Sequence, residues 1–163
     1  KRTIQGSGIE KAKEQLKMLF FNPGEKIPGI PMIGNKLDLY DDNAHELYSY
    51  RLDYVDYHGK LAYVFEIKPK EDLGFFAKDR VVVDQMITWF NPSTLEVLGR
   101  NYSLSYKAGV YDFNVQMEVE MTYTKNGLLV PKILRYKGDW DVVFKKRERG
   151  LFTATLFDFK VGE

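Results

Sequence analysis

Between Phe113 and Tyr123 the chain alternates without a fault. Phe113, Val115, Met117, Val119, Met121 and Tyr123 are apolar or aromatic, and Asn114, Gln116, Glu118, Glu120 and Thr122 stand between them. A period of two places successive side chains on opposite sides of a pleated backbone, so the segment reads as a strand with one face toward a core. A lone strand leaves its backbone N–H and C=O groups unpaired, and this one therefore demands neighbours on both sides.

The same period recurs on either side of it. Tyr48, Tyr50, Leu52 and Tyr54 alternate with Ser49, Arg51 and Asp53, and "YHGK" offers a turn. Leu61, Tyr63, Phe65 and Ile67 run up to Pro69. Val81, Val83, Ile87 and Trp89 read as one apolar face leading into Asn91–Thr94, where Pro92 presets φ for a bend. The run from Leu95 to Tyr106 leads out again, with Arg100 in phase with Glu96, Tyr102 and Tyr106 on a mixed face. Lys125 to Gly127 makes another turn, and Pro131 predicts an edge or a bulge because it has no N–H to donate. With "LLVPKILRY", "WDVVF" and "GLFTATLFDFK" the total is about eight strands joined by short turns, which is an antiparallel meander.

One helix precedes them. Ser7 and Glu10 have capping-box spacing, and Ile9, Ala12, Leu16, Leu19 and Phe20 fall on one face. Pro23 ends it. The segment Asn22–Asn35 then mixes prolines and glycines with Ile27, Ile30, Met32 and Ile33, and reads either as a strap across the core or as a flap over a cavity. The fold expected is α+β and mostly antiparallel β: a curled half-barrel closed by this helix and the Pro/Gly-rich loop. At 163 residues it fits a single domain over 1–163. The start without Met or signal peptide is expected of the mature or trimmed part of a longer precursor.

Several function classes lose their basis here. The formal charge is +1, so no whole-molecule field favours nucleic acid. The chain has no cysteine, which removes thiolate catalysis and Cys-ligated metals. No apolar run approaches the ~18 residues of a membrane helix. His45 and His58 lack metal-ligand spacing, and His58 beside Gly59 is turn chemistry. Ser93, Ser103 and Ser105 stand in no nucleophile motif, and Asp38, Asp41 and Asp42 do not match a calcium loop. Glu66, Asp84, Glu118 and Glu120 are strand carboxylates; a glycosidase would need two of them across a cleft. "KPKED" and "FKKRERG" read as charged hairpin tips, and "GSG" at Gly6–Gly8 as a helix cap. No cofactor is expected.

Three motifs carry a family resemblance. Tyr63, Phe65, Ile67 and Pro69 lie within "YVFEIKPKED"; Thr94, Leu95 and Val97 restart a strand after a turn; Gly127, Leu129, Val130 and Pro131 form a late strand entry. From Ile9 to about Tyr136 the chain resembles the bacterial lipoprotein-carrier superfamily, the Lol-type periplasmic carriers and their outer-membrane receptor. The resemblance implies a concave apolar surface on which acyl chains lie, each buried CH₂ contributing ~0.8 kcal/mol. It also implies an acyl-contacting arginine, for which Arg51 and Arg100 are the candidates at a cavity rim. The cavity candidates are Leu16, Phe20, Ile30, Ile33, Phe65, Val83, Trp89, Phe113, Met117, Met121 and Tyr123. The methionines suit a ligand of variable shape.

The expectation is a non-enzymatic, periplasmic or outer-membrane-associated protein. It would bind a lipid or lipoprotein acyl chain, with an envelope protein as a further partner and no membrane span of its own. The alternative is a cell-surface interaction or scaffold module that uses Tyr57, Tyr102 and Tyr106 as contact anchors. An unrecognised hydrolase ranks third.

Overall fold

A computed structural model describes residues 39–108, 111–142 and 146–159. The expected N-terminal helix and the Pro/Gly-rich segment, with Leu16, Phe20, Ile30 and Ile33, lie outside the described residues. The chain divides into two units, Lys1–Glu46 and Leu47–Glu163, and a short helix α1 (Ala44–Leu47) spans the boundary.

The second unit is a meander. Strands β1 (Tyr48–Tyr57), β2 (Lys60–Pro69), β3 (Val83–Phe90), β4 (Val97–Ala108), β5 (Tyr111–Tyr123), β6 (Leu129–Val142) and β7 (Glu148–Thr155) pair antiparallel in sequence order. β1 and β7 are the two edges, so the sheet is not closed into a barrel. A one-turn helix α2 (Phe75–Lys78) lies between β2 and β3.

Among the described residues seven strands stand in place of the expected number of about eight, because "LLVPKILRY" and the start of "WDVVF" are one continuous strand. Gly138 joins them. Tyr136 and Trp140 lean over it from either side with rings stacked at 5.8 Å, and an added Cβ would stand 2.5 Å from the Trp140 ring. The rings supply the cover that glycine lacks, and the strand continues where the sequence suggests a break.

Turn chemistry follows the sequence closely. His58 and Gly59 both have positive φ, the geometry of a two-residue primed turn, and the Gly59 N–H donates to Asp56 Oδ1 at 2.9 Å. Gly127 also has positive φ, in the β5–β6 turn. Pro131 sits where the β5–β6 ladder shifts register between Glu120 and Met121, so the missing N–H falls at a bulge.

A second bulge has larger consequences. The β3–β4 register shifts between Val83 and Gln85, reversing the phase of everything that follows on β3. Tyr48 holds this point: its buried hydroxyl accepts N–H groups from Val82 at 3.2 Å and Val83 at 3.1 Å.

Candidate functional site

Register assigns the two faces. Tyr50, Phe65, Val83, Met86, Thr88, Arg100, Tyr102, Leu104, Phe113, Met117, Val119, Leu134 and Tyr136 are cross-strand partners or in phase with them, and share one side. This is the apolar face. Met86, Tyr102, Leu104, Phe113, Met117, Val119 and Leu134 on it are buried.

Two polar side chains interrupt that surface at its centre. Arg100 pairs across the ladder with Thr88 on one side and Val119 on the other. Its Nε donates to Thr88 Oγ1 at 3.1 Å, and Thr88 is only 1% exposed. Next along β4, the Tyr102 hydroxyl donates to Met117 Sδ at 3.0 Å. Burial pushes the Tyr102 hydroxyl well above the usual tyrosine range, while the Arg100 charge pulls the other way. The result is a guanidinium set among methionine, tyrosine and β-branched side chains.

The structure brings some of the sequence candidates together and separates others. Phe65, Val83, Phe113 and Met117 share the apolar face, and Met121 and Tyr123 continue the same alternation on β5. Met121 is half-buried. Tyr123 is exposed and donates its hydroxyl to Glu96 at 2.8 Å, so it fastens a hairpin tip.

Trp89 is on the opposite face, which corrects its expected phase with Val83: the bulge intervenes between them. There it stacks on Tyr57 at 4.7 Å, and the Tyr57 ring lies over Gly99, where a Cβ would come within 3.1 Å of the Val119 carbonyl oxygen. Arg51 also belongs to the opposite face, 3.4 Å from Glu66. Arg100 is corrected in the other direction. Its face is not mixed but apolar, because its neighbours across the ladders are Thr88 and Val119.

The tyrosines named for surface contact fare unevenly. Tyr102 is buried and Tyr57 is half-covered beneath its stack with Trp89, so neither is the exposed anchor expected. Tyr106 is half-buried and packs at 6.2 Å from Phe113. Thr88 and Tyr136 were missed as members of the central group. Their signal is cross-strand register, which a single sequence does not display.

The polar face carries three charged groups. Glu66 meets Lys68 at 2.7 Å, Gln85 at 2.7 Å and Arg51 at 3.4 Å. Arg135 bridges Glu118 and Glu120. Asp139 receives both Arg147 and Arg149. These are acid–base pairs between neighbours along and across the strands, as on a charged sheet surface. Among the described residues no group of His, Asp and Glu is placed to hold a metal ion, and no helix is long and apolar enough to cross a membrane.

Compared with known proteins, the chain matches no family model, no curated protein and no solved structure. The likeness to the lipoprotein carriers rests on the sequence motifs alone.

Proposed function

We propose that the protein is a non-catalytic binder of an acyl chain in the cell envelope, with the apolar face of the sheet as the ligand surface. In this reading the sheet is the wall on which the acyl chain lies. The observation that carries the reading is Arg100. A guanidinium oriented by a buried hydroxyl within an apolar face suits a ligand that is hydrocarbon along its length and polar at one end. Its charge would meet a carboxylate or an ester carbonyl, while Met117, Phe113 and Phe65 take the chain. Arg51 stands on the other face, 3.4 Å from Glu66 and away from these apolar side chains.

The test is direct. Native mass spectrometry after mild purification should reveal a bound lipid mass, and an environment-sensitive fatty-acid probe should titrate to saturation. Arg100→Leu should weaken probe binding by about tenfold, the loss of one charge-assisted hydrogen bond, and Arg51→Leu should leave it unchanged. A dry protein that takes up no probe overturns the proposal.

A further inference from the structure

The sheet ends on β1 and β7, and the hydrogen-bond phase of β1 decides which way its backbone groups point. The Lys70 N–H donates to the Leu47 carbonyl at 2.9 Å, and this pair continues the β1–β2 register by one step. Antiparallel pairs alternate between bonded and non-bonded, so Ser49, Arg51, Asp53 and Val55 turn their N–H and C=O groups toward β2. The residues between them, Leu52 and Tyr54 included, turn theirs away from it. Tyr54 shows this directly, because its N–H donates to Asp53 Oδ1 at 2.7 Å and not to β2. The side chains of these two residues belong to the apolar side, opposite Phe65 and Tyr63, yet Leu52 is 64% exposed and Tyr54 49%.

This edge is complementary to itself. A twofold axis through Leu52, perpendicular to the sheet, sets a second β1 antiparallel to the first and keeps like faces on the same side. Leu52 then meets Leu52 of the second copy, Tyr54 meets Tyr50, and Arg51 meets Asp53 in both directions. The pairing spans Tyr48 to Asp56, nearly the whole strand. Leu52 and Tyr54 fall at bonded positions, and Arg51 and Asp53 at non-bonded ones, where side chains across a ladder stand closest.

Charge favours a second copy as the occupant. Lys68 at 2.7 Å and Arg51 at 3.4 Å share the single carboxylate of Glu66, so this group has one cation in excess, and the Arg51 side chain is 66% exposed. Asp53 lies across from Val64 and has no ion pair among the described residues. The twofold supplies a partner to each. On pairing, the Tyr54 N–H passes from Asp53 to the Tyr50 carbonyl of the second copy, which releases the carboxylate to Arg51. The β7 edge has no equivalent: Gly150 to Phe157 carries no charge, so nothing of this kind fixes a register there.

We propose that β1 is a homodimer interface, at which a second copy of this chain adds its own β1 about a twofold at Leu52 and the two seven-stranded sheets run on as one. The pairing does not depend on an acyl chain occupying the apolar face, and sedimentation reads it separately from probe uptake. Sedimentation velocity of the full chain should show a monomer–dimer equilibrium across the micromolar range. Arg51→Asp and Asp53→Arg each set like charges against each other across the twofold, and each should weaken dimerisation by about tenfold or more. An equimolar mixture of the two variants restores opposite charges at both pairs and should dimerise as the parent does, which neither variant does alone. Circular dichroism confirms that both are folded. The chain has no cysteine, so Leu52→Cys reports the axis independently: it should oxidise to a linked dimer far faster than Leu151→Cys on the β7 edge. A parent that stays monomeric, single charge variants that dimerise as it does, a mixture of folded variants that stays monomeric, or faster linkage through β7 each overturn the proposal.

Discussion

Arg100 and Arg135 project from opposite faces of one sheet, and their surroundings differ in kind. Arg100 stands on β4 with a buried threonine as its partner across the ladder, donating to Thr88 Oγ1 at 3.1 Å. Arg135 stands on β6 with two carboxylates, Glu118 at 2.9 Å and Glu120 at 3.1 Å, all partly in water. With two carboxylates in reach, Arg135 looks the better anchored. Physical chemistry reverses the order, because water and salt compete for an exposed pair, whereas a buried acceptor has no alternative donor to turn to. The face with fewer charges is therefore the one where a charge is most tightly committed.

The sharpest way to break that comparison is Thr88→Val. The substitution keeps the branched shape and removes only the hydroxyl that accepts from Arg100. A hydrogen bond to a charged group contributes about 1.5–3 kcal/mol, so the denaturant midpoint should fall measurably at constant m-value. Thr88→Ser restores the acceptor and should recover the part of the loss due to it. If Thr88→Val unfolds at the parent midpoint, Arg100 is no more committed than a surface arginine, and the contrast between the faces disappears.

Much of this sheet was legible in the residues. β1, β2 and β5 were read from strict alternation, and the turns at His58–Gly59, Asn91–Thr94 and Lys125–Gly127 from residues that tolerate or preset the required φ. The faces were less legible. "VVVDQMITWF" contains no glycine or proline to mark a bulge, yet the register slips between Val83 and Gln85 and sends Trp89 to the polar side. Arg100 kept phase with Tyr102 and Tyr106 as read, but phase along one strand does not say which face that is. Thr88 and Val119, on two other strands, decide it. Gly138 misled in a similar way, since the rings that sustain the strand there cover it only once the backbone is extended.

Glu66 is the exception on the polar face and offers an intermediate test. It is 9% exposed, covered largely by the side chains that pair with it. The hydrogen bond from Lys68 leads in holding its carboxyl below the usual glutamate value, assisted by Gln85 and Arg51. A carboxyl with a lowered folded-state pKa stabilises the fold above its unfolded pKa of about 4.3, and that contribution fades as pH falls through the folded value. Glu66→Gln removes it. The stability difference between parent and variant should therefore be full at neutral pH and shrink on acidification, which urea titrations at neutral and acid pH would read. A difference that is constant with pH would mean the charge contributes nothing and only packing was altered.

The smallest effect on stability belongs to Arg135→Ala. Both carboxylates it bridges are exposed enough to be solvated without it, so the midpoint at physiological salt should not move beyond error. At low salt a slight loss should appear, because Glu118 and Glu120 then repel each other with less screening. Its influence surfaces instead in a neighbour. Tyr57, half-covered by its stack on Trp89, has its hydroxyl raised first by burial and then by the charges of Glu120 and Glu118. Arg135 offsets those charges, so removing it should make the phenolate harder to form and shift Tyr57 titration to higher pH. NMR of the Tyr57 ring would follow it. An unchanged titration, together with an unchanged midpoint, would place Arg135 outside the electrostatics of the polar face altogether. A large stability loss would instead mean that an exposed arginine bridging two carboxylates can match one bonded to a buried hydroxyl, and the ranking of the two arginines would have to be inverted.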